Sequence, residues 1–496
     1  MFGRVFAFHA VILHCQNKMG ASPRALVLRR AIQSRCFQVA LIILWRAAFT
    51  PYDTSASTNP PCLTSQRLAS HRSSNNVTSF IGSALENSVV WDSVYFVRIA
   101  ECQYEYEQSY AFMPLLPLFI HFFSRIVLFP LIPLIGYRAV LALSGYIICN
   151  TMFVLSAVYL HRFSVAVLKD RNLALRASIL FCFNPASIFY SSIYSESLYS
   201  LFSLGGLYYL ISDQTNMATL WFAFSACARS NGFINAGYIC YITMHQLLNG
   251  LNEKRSIYLA VKVLAVGALR SALIFTPFII FQLYGYYNLC SGHIPGQRSP
   301  WCERQIPLLY NYIQSHYWGI GFLKYYELKQ LPNMLLATPT LCLAIYSILY
   351  FVRLEQESFS SLGLQPPKKT VNPFSFSNNG VSAKPSTGKK LGYRKVMAKE
   401  NDSVGQSLVQ FEKKEYLSCM IVPCIIHMGF LVITALLFMH IQVATRFLSA
   451  SPPIYWFAAS IMGNYSYRRW NYLIWVYSFS YILLGSLLFS NFYPFT

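Results

Sequence analysis

Five stretches of this sequence, 137–160, 263–284, 334–352, 418–439 and 470–490, run for about twenty residues with at most one charge each. A helix rises about 1.5 Å per residue and satisfies its own backbone, so such a stretch spans the roughly 30 Å hydrocarbon core of a bilayer. The chain is therefore read as an all-α integral membrane protein, a polytopic helical bundle. Charged residues are only 11% of it, against roughly 25% in soluble domains. The formal net charge of +21 is carried in short loops between apolar segments rather than along one stripe. That distribution orients spans in a membrane and excludes nucleic acid as a partner.

The same basic loops set the expected topology. Lys18, Arg24, Arg29, Arg30 and Arg35 come with a first helix near 31–51, interrupted by Arg35 and Arg46, whereas 50–86 has few basic residues and the sequon Asn76-Val77-Thr78. The helix is expected to run from cytosol to lumen. Met1 to Cys15 mimics a signal peptide without a cleavage site and is read as part of a retained cytosolic tail, 1–30. Segment 112–134 carries Pro114, Pro117, Pro130 and Pro133 and reads either as a span or as a dip that returns. The basic loop from His161 to Arg176 should be cytosolic, and the parity this requires favours the dip. The membrane catalytic region is placed at 31–352, with a luminal loop at 52–111. Residues 353–417, with 11 Lys or Arg against 6 acids, read as a disordered cytosolic loop whose Asn401 sequon stays unmodified. The C-terminal membrane helices occupy 418–496.

The 13 cysteines are scattered, mostly within apolar segments, with no CxxC or Cys/His spacing. No metal and no cofactor is expected. Cys290 and Cys302 differ, because they flank a polar loop with His293 and Trp301 placed outside the cytosol, where a disulfide persists.

Chemistry concentrates in Trp91 to Pro117. Of only 18 acidic residues, Glu86, Asp92, Glu101, Glu105 and Glu107 fall within about two dozen positions, and the stretch is read as the reaction centre. A carboxylate there takes a proton from an alcohol, or else Asp92 merely caps a solvated helix. On one continuous helix Asp92 and Glu101 would face roughly opposite ways, so a single base is expected. Further along, FNPASIFYSSIYSESLYS breaks at Asn184 and Pro185 and carries Glu196, a site residue or half of a Ser195/Glu196 cap. ARSNG (Ala228 to Gly232) puts Arg229 inside an apolar run, a costly place unless it meets an anion. It is either a phosphate ligand or the salt-bridge partner of Glu196 or Asp92. Gln282 ends a span, residues 307–333 form an aromatic belt or a sugar platform, and His440, Gln442 and Arg446 lie at a helix end.

There is no P-loop and no GxGxxG with an acidic partner, so the substrate must arrive activated. Several segments together resemble one family: WD with FVRIAE, FNPASIFYSSIYSESLYSL, ARSNG, FQLYGYYNLC, PWC, PLLYNYIQSHYWGIGFLKYYELKQLPN and MHIQVATRFLSASPPIYWF. They run in order from about residue 24 to the carboxyl end and resemble the second GPI mannosyltransferases of the endoplasmic reticulum, which are dolichol-dependent, multi-spanning transferases. The chain departs from that family at Tyr110 and Met113, where phenylalanine is usual. The resemblance implies a GT-C type bundle with luminal re-entrant helices. It implies α-1,6 transfer of the second mannose, with inversion, from dolichol-phosphate mannose to the mannosyl-glucosaminyl phosphatidylinositol glycolipid. Asp92 is the expected base. Trp91, Glu101, Glu196, Arg229, Asn231, Gln282, Tyr325, Tyr326, His440 and Arg446 are expected at the substrates, facing the lumen. A small membrane subunit is a further expected partner. Another dolichol-dependent transferase, or a lipid or sugar transporter, remains the alternative.

Overall fold

The computed structural model describes residues 22–52, 62, 76–254, 257–291, 299–363, 420–464, 467–493 and 495. His293, Asn401 and most of the tail and of loop 353–417 lie outside them. Among the described residues there is no strand, and fifteen helices reach eight residues or more. In chain order they are α1 Pro23–Ala48, α2 Asn76–Asn87, α3 Asp92–Cys102, α4 Leu115–Ile126, α5 Tyr137–Leu168, α6 Arg171–Cys182, α7 Glu196–Ile211, α8 Thr215–Ala228 and α9 Ala236–Lys254. They continue with α10 Ile257–Cys290, α11 Leu309–His316, α12 Leu331–Leu354, α13 Ile421–Leu437, α14 Pro452–Gly463 and α15 Arg468–Ser490.

Four of the five expected spans appear as α5, α10, α12 and α15, each long and apolar enough to cross a bilayer. The fifth, expected at 418–439, is the shorter apolar helix α13. Helix α5 is the axis of the bundle: 56% of its apolar window is buried, against 11% for α10, which leaves α10 to face lipid. Small hydroxyl residues let neighbours approach α5 closely. Ser156 on α5 bonds Ser200 on α7 at 2.8 Å, and Trp456 Nε1 on α14 donates to Ser164 at 2.8 Å.

The prolines of segment 112–134 give a bent pair rather than a straight span. Helix α4 and the piece Phe129–Ile135 meet at 72°, the shape of a broken or re-entrant passage. Asn184 and Pro185 likewise end α6 at Cys182, which leaves orphaned carbonyls at its carboxyl end. Arg35 takes them. Its Nη2 donates to Cys182 O at 3.3 Å and its Nη1 to Ser187 O at 3.0 Å and Ser191 Oγ at 2.9 Å, with further bonds to Ser34 Oγ and Ser187 Oγ. The guanidinium also lies 3.9 Å from the centre of the Phe153 ring. Arg46 donates to Ser490 O at 3.0 Å. The two arginines that interrupt the first helix on sequence thus tie it to a broken helix and to the end of α15.

The apolar run 216–244 is a hairpin. Arg270 on α10 donates to Asn216 at 2.9 Å, and Ser271 lies 3.5 Å from Cys240, so the start of α8 and the second turn of α9 meet the same turn of α10. The chain reverses between Arg229 and Asn235. Gly232 is required there, because a Cβ would sit 2.2 Å from Ser225 O.

Residues 353–363, assigned on sequence to the disordered loop, end α12 and turn back through a short helix, Gln356–Ser360. Tyr241 and His245 on α9 hold Leu362 O at 3.1 and 2.9 Å, which orders this end of the loop.

Candidate active site

Helix ends build the site. Trp91 adopts φ 55°, a left-handed conformation that strains a residue with a side chain. Its indole is pinned by a 3.1 Å bond to Phe489 O and a tilted contact with Phe492. Asp92 is therefore the first residue of α3 rather than its cap, and its carboxylate lies at the positive end of the helix dipole. Its N–H donates to the Tyr194 hydroxyl at 3.1 Å.

The Asp92 carboxylate does not stand alone. Arg446 Nη1 donates to Asp92 Oδ2 at 3.0 Å, and Arg446 Nε lies 3.7 Å from Glu196 Oε1, which in turn meets Arg229 Nη1 at 2.6 Å. Four charges of alternating sign, Asp92, Arg446, Glu196 and Arg229, form one line with no net charge. Phe189 and Tyr194 stack against the Arg446 guanidinium, their ring centres 5.3 and 5.6 Å away. Burial opposes charge on Arg446, but Asp92 and Glu196 outweigh it and hold the guanidinium above the usual arginine range. Burial, with Asp92 beside it, pushes the Tyr194 phenol well up, so it stays neutral.

Arg229 follows the end of α8 in extended conformation, so the reversal itself aims it at Glu196. Glu196 opens α7, but the Ser195 side chain makes no capping bond and the Glu196 carboxylate is 3% exposed against Arg229. The capping-pair reading fails. Arg229 forms the ion pair with Glu196, its Nη1 lying nearest to Oε1. Asn231 and Gln282 lie nearby: Gln282 Oε1 accepts the Tyr310 N–H at 2.9 Å, and the Tyr310 hydroxyl meets Ser230 Oγ at 2.7 Å.

The acid-rich stretch does not act together. Helix α3 is continuous, so Glu101 lies about 13 Å along it from Asp92 and on the opposite face. There it pairs with Arg138 at 3.0 Å. Glu105 pairs with Arg98 at 2.9 Å, and Glu107 accepts from Ser299 at 2.7 Å and Trp301 Nε1 at 3.1 Å. Only Asp92 reaches the charge line. Tyr325, Tyr326 and His440 are engaged in structure too. His440 stacks on Tyr325 and its Nε2 meets Trp318 O at 2.7 Å, Tyr325 donates to Gln442, and Tyr326 donates to Leu436 O at 2.9 Å.

Two features escaped the sequence. Tyr194 had no signal beyond its place in the broken segment. Cys62 pairs with Cys102 at the far end of α3, beside the expected Cys290–Cys302 bond. Cys62, Cys102 and Glu101 bring three metal-type atoms together, but the two sulfurs are bonded to each other, so no thiolate remains to ligate.

Residues 24–496 match the family described as Mannosyltransferase (PIG-V). The chain belongs to that family. It is 31% identical to the human "GPI alpha-1,6-mannosyltransferase 2" over 462 residues, 89% of this chain and 84% of that protein. The Drosophila melanogaster "GPI mannosyltransferase 2" is 31% identical over 438 residues, 82% of this chain and 86% of that protein. No solved structure matches the chain. A PIG-V mannosyltransferase is a glycosyltransferase, and sugar transfer needs a group that takes a proton from the attacking hydroxyl and groups that hold charge on the leaving oxygen. The line from Asp92 to Arg229 contains carboxylate and guanidinium groups.

Proposed function

We propose that this PIG-V family member works in GPI-anchor biosynthesis at the endoplasmic reticulum membrane. It transfers the second mannose, in α-1,6 linkage, from dolichol-phosphate mannose to the mannosyl-glucosaminyl phosphatidylinositol intermediate. The observation that carries the mechanism is the Asp92 carboxylate at the end of the line, oriented by Arg446, with its backbone N–H held by Tyr194, and still 31% exposed. The acceptor's 6-hydroxyl oxygen attacks C1 of the donor mannosyl while its proton passes to Asp92. The bond from C1 to the phosphate oxygen breaks, and the electron pair leaves with dolichol phosphate. Attack and departure on opposite faces invert the carbon, which puts the base at one end of the site and the phosphate at the other. Arg229, at the end away from Asp92, is the guanidinium placed for that phosphate.

A luminal site is supported by chemistry at the two ends of the bundle. Helices α1 and α15 both finish beside Trp91, and both begin with arginines, Arg24, Arg29 and Arg30 in one and Arg468 and Arg469 in the other. Helix α5 starts at the Arg138–Glu101 pair and ends just before Arg171. The basic end suits the cytosol, and the two disulfides near α3 suit an oxidising lumen.

Asp92→Asn tests the base, since it keeps size and polarity. Purified in detergent and supplied with both lipid substrates, the variant should turn over about 10²- to 10⁴-fold more slowly with unchanged melting. Turnover near the wild-type rate removes Asp92 from the chemistry.

A further inference from the structure

Once the four charges are paired, a set of polar atoms at the Arg229 end is left over. Glu196 Oε2, both Asn231 side-chain atoms and Gln282 Nε2 are buried and have no hydrogen-bond partner in the protein. Their residues are 2%, 9% and 8% exposed, so bulk water does not serve them. They are neighbours by named contacts. Glu196 meets Arg229, Arg229 precedes Ser230 and Asn231, Ser230 meets the Tyr310 hydroxyl, and the Tyr310 N–H is held by Gln282. Buried amides and carboxylate oxygens without partners cost the folded protein stability, and such groups persist where a ligand completes them.

Their chemistry selects the ligand. Two amide groups offer N–H donors, while the Asn231 carbonyl and the free Glu196 oxygen accept. Neighbouring hydroxyls of a sugar ring need that mixture, because each both donates and accepts. An anion does not suit these atoms, since the free Glu196 carboxylate oxygen repels it, and the phosphate is left to the Arg229 guanidinium. Resting on the reading above, we propose that Asn231, Gln282 Nε2 and Glu196 Oε2 form a hydroxyl-reading subsite that selects the donor's mannosyl ring. The acceptor stays at the Asp92 end. The ring bound at the amides then holds C1 between the acceptor hydroxyl and the phosphate at Arg229.

Asn231→Leu separates this from packing, because it keeps the volume and removes both unpartnered atoms. In the purified full chain, KM for dolichol-phosphate mannose should rise about 10- to 100-fold while KM for the acceptor glycolipid holds. Melting in the absence of substrate should stay level or rise, since an unsatisfied buried amide has been removed. Gln282→Glu, which keeps the bond to Tyr310 and replaces the donor, should raise the same KM. A donor carrying a deoxymannose should be discriminated against less by the Asn231→Leu enzyme than by the wild type. Unchanged donor KM in both variants overturns the subsite, and so does a rise confined to the acceptor KM. If the wild-type chain transfers no mannose from this donor, the functional reading fails instead, a result visible before any variant is made.

Discussion

Two arginines inside this membrane bundle, the buried Arg35 and the half-buried Arg446, solve the same problem in opposite ways. Arg35 sits about 18 Å along α1 from Pro23 and is answered by carbonyls and hydroxyls, with every nitrogen bonded and an aromatic face beneath it. Its partners are the loose ends of a broken helix, so it closes a structural gap. Arg446 is answered by carboxylates, Asp92 at 3.0 Å and Glu196 at 3.7 Å, and its Nε is left without a hydrogen bond. A buried cation whose donors are all used is part of the scaffold. One sharing ionised partners beside unsatisfied atoms fits the substrate site proposed above.

The same substitution at both positions tests that contrast most severely. Arg446→Gln leaves Asp92 without its anchor, and a misplaced base is expected to cost about 10²-fold in kcat. Melting should change little, because the Asp92 side chain is partly open to solvent. Arg35→Gln should do the reverse. The Cys182 and Ser187 carbonyls on either side of the break lose a charged donor, for about 2 kcal/mol or more of stability, while kcat per folded molecule stays within about twofold of wild type. Thermal melts and single-turnover rates on the two purified variants check both halves. If Arg35→Gln slows the chemistry or Arg446→Gln unfolds the protein, the division between scaffold and site is wrong.

The contrast also locates what could be read from the sequence. Lengths of apolar run gave α5, α10, α12 and α15, because bilayer thickness acts on each stretch separately. The breaks at Asn184-Pro185 and at ARSNG were legible too, since proline and glycine act on their own backbone. The roles of charges were not. Asp92 and Arg446 are 354 positions apart, and nothing local distinguishes Asp92 from Glu101, Glu105 and Glu107, each of which is consumed by a nearby arginine, serine or tryptophan. Acid density does not tell which of these carboxylates joins the charge line, and only Asp92 does. Arg35, an apparent flaw in a weak first helix, became intelligible only once the carbonyls it serves were in place.

Arg229→Lys gives a middle-sized effect. The present ion pair is closest at Nη1, and a lysine ammonium can keep one such contact, so the fold and the charge of Glu196 should survive. A lysine cannot grip a phosphate through two parallel bonds, and stabilisation of the leaving oxygen should weaken by about tenfold in kcat. Wild-type kcat in this variant would make Arg229 a counter-ion only, placing it with Arg35 on the structural side.

The smallest expected effect concerns Tyr194, the residue that touches both sides of the contrast. Its hydroxyl accepts the Asp92 N–H at 3.1 Å, and its ring lies 5.6 Å from the Arg446 guanidinium. Tyr194→Phe keeps the ring and removes only the acceptor. A first-turn N–H of α3 then loses its partner, which costs on the order of 1 kcal/mol, and the carboxylate it helps aim gains freedom. Because Arg446 still holds Oδ2, kcat should fall about threefold, with both KM values unchanged and little change in melting. A purely structural role would lower melting and leave kcat alone. A loss as large as that of Arg446→Gln would mean that the backbone of Asp92, rather than its ion pair, sets the direction of the base, and the distinction between the two arginines would then need a different explanation.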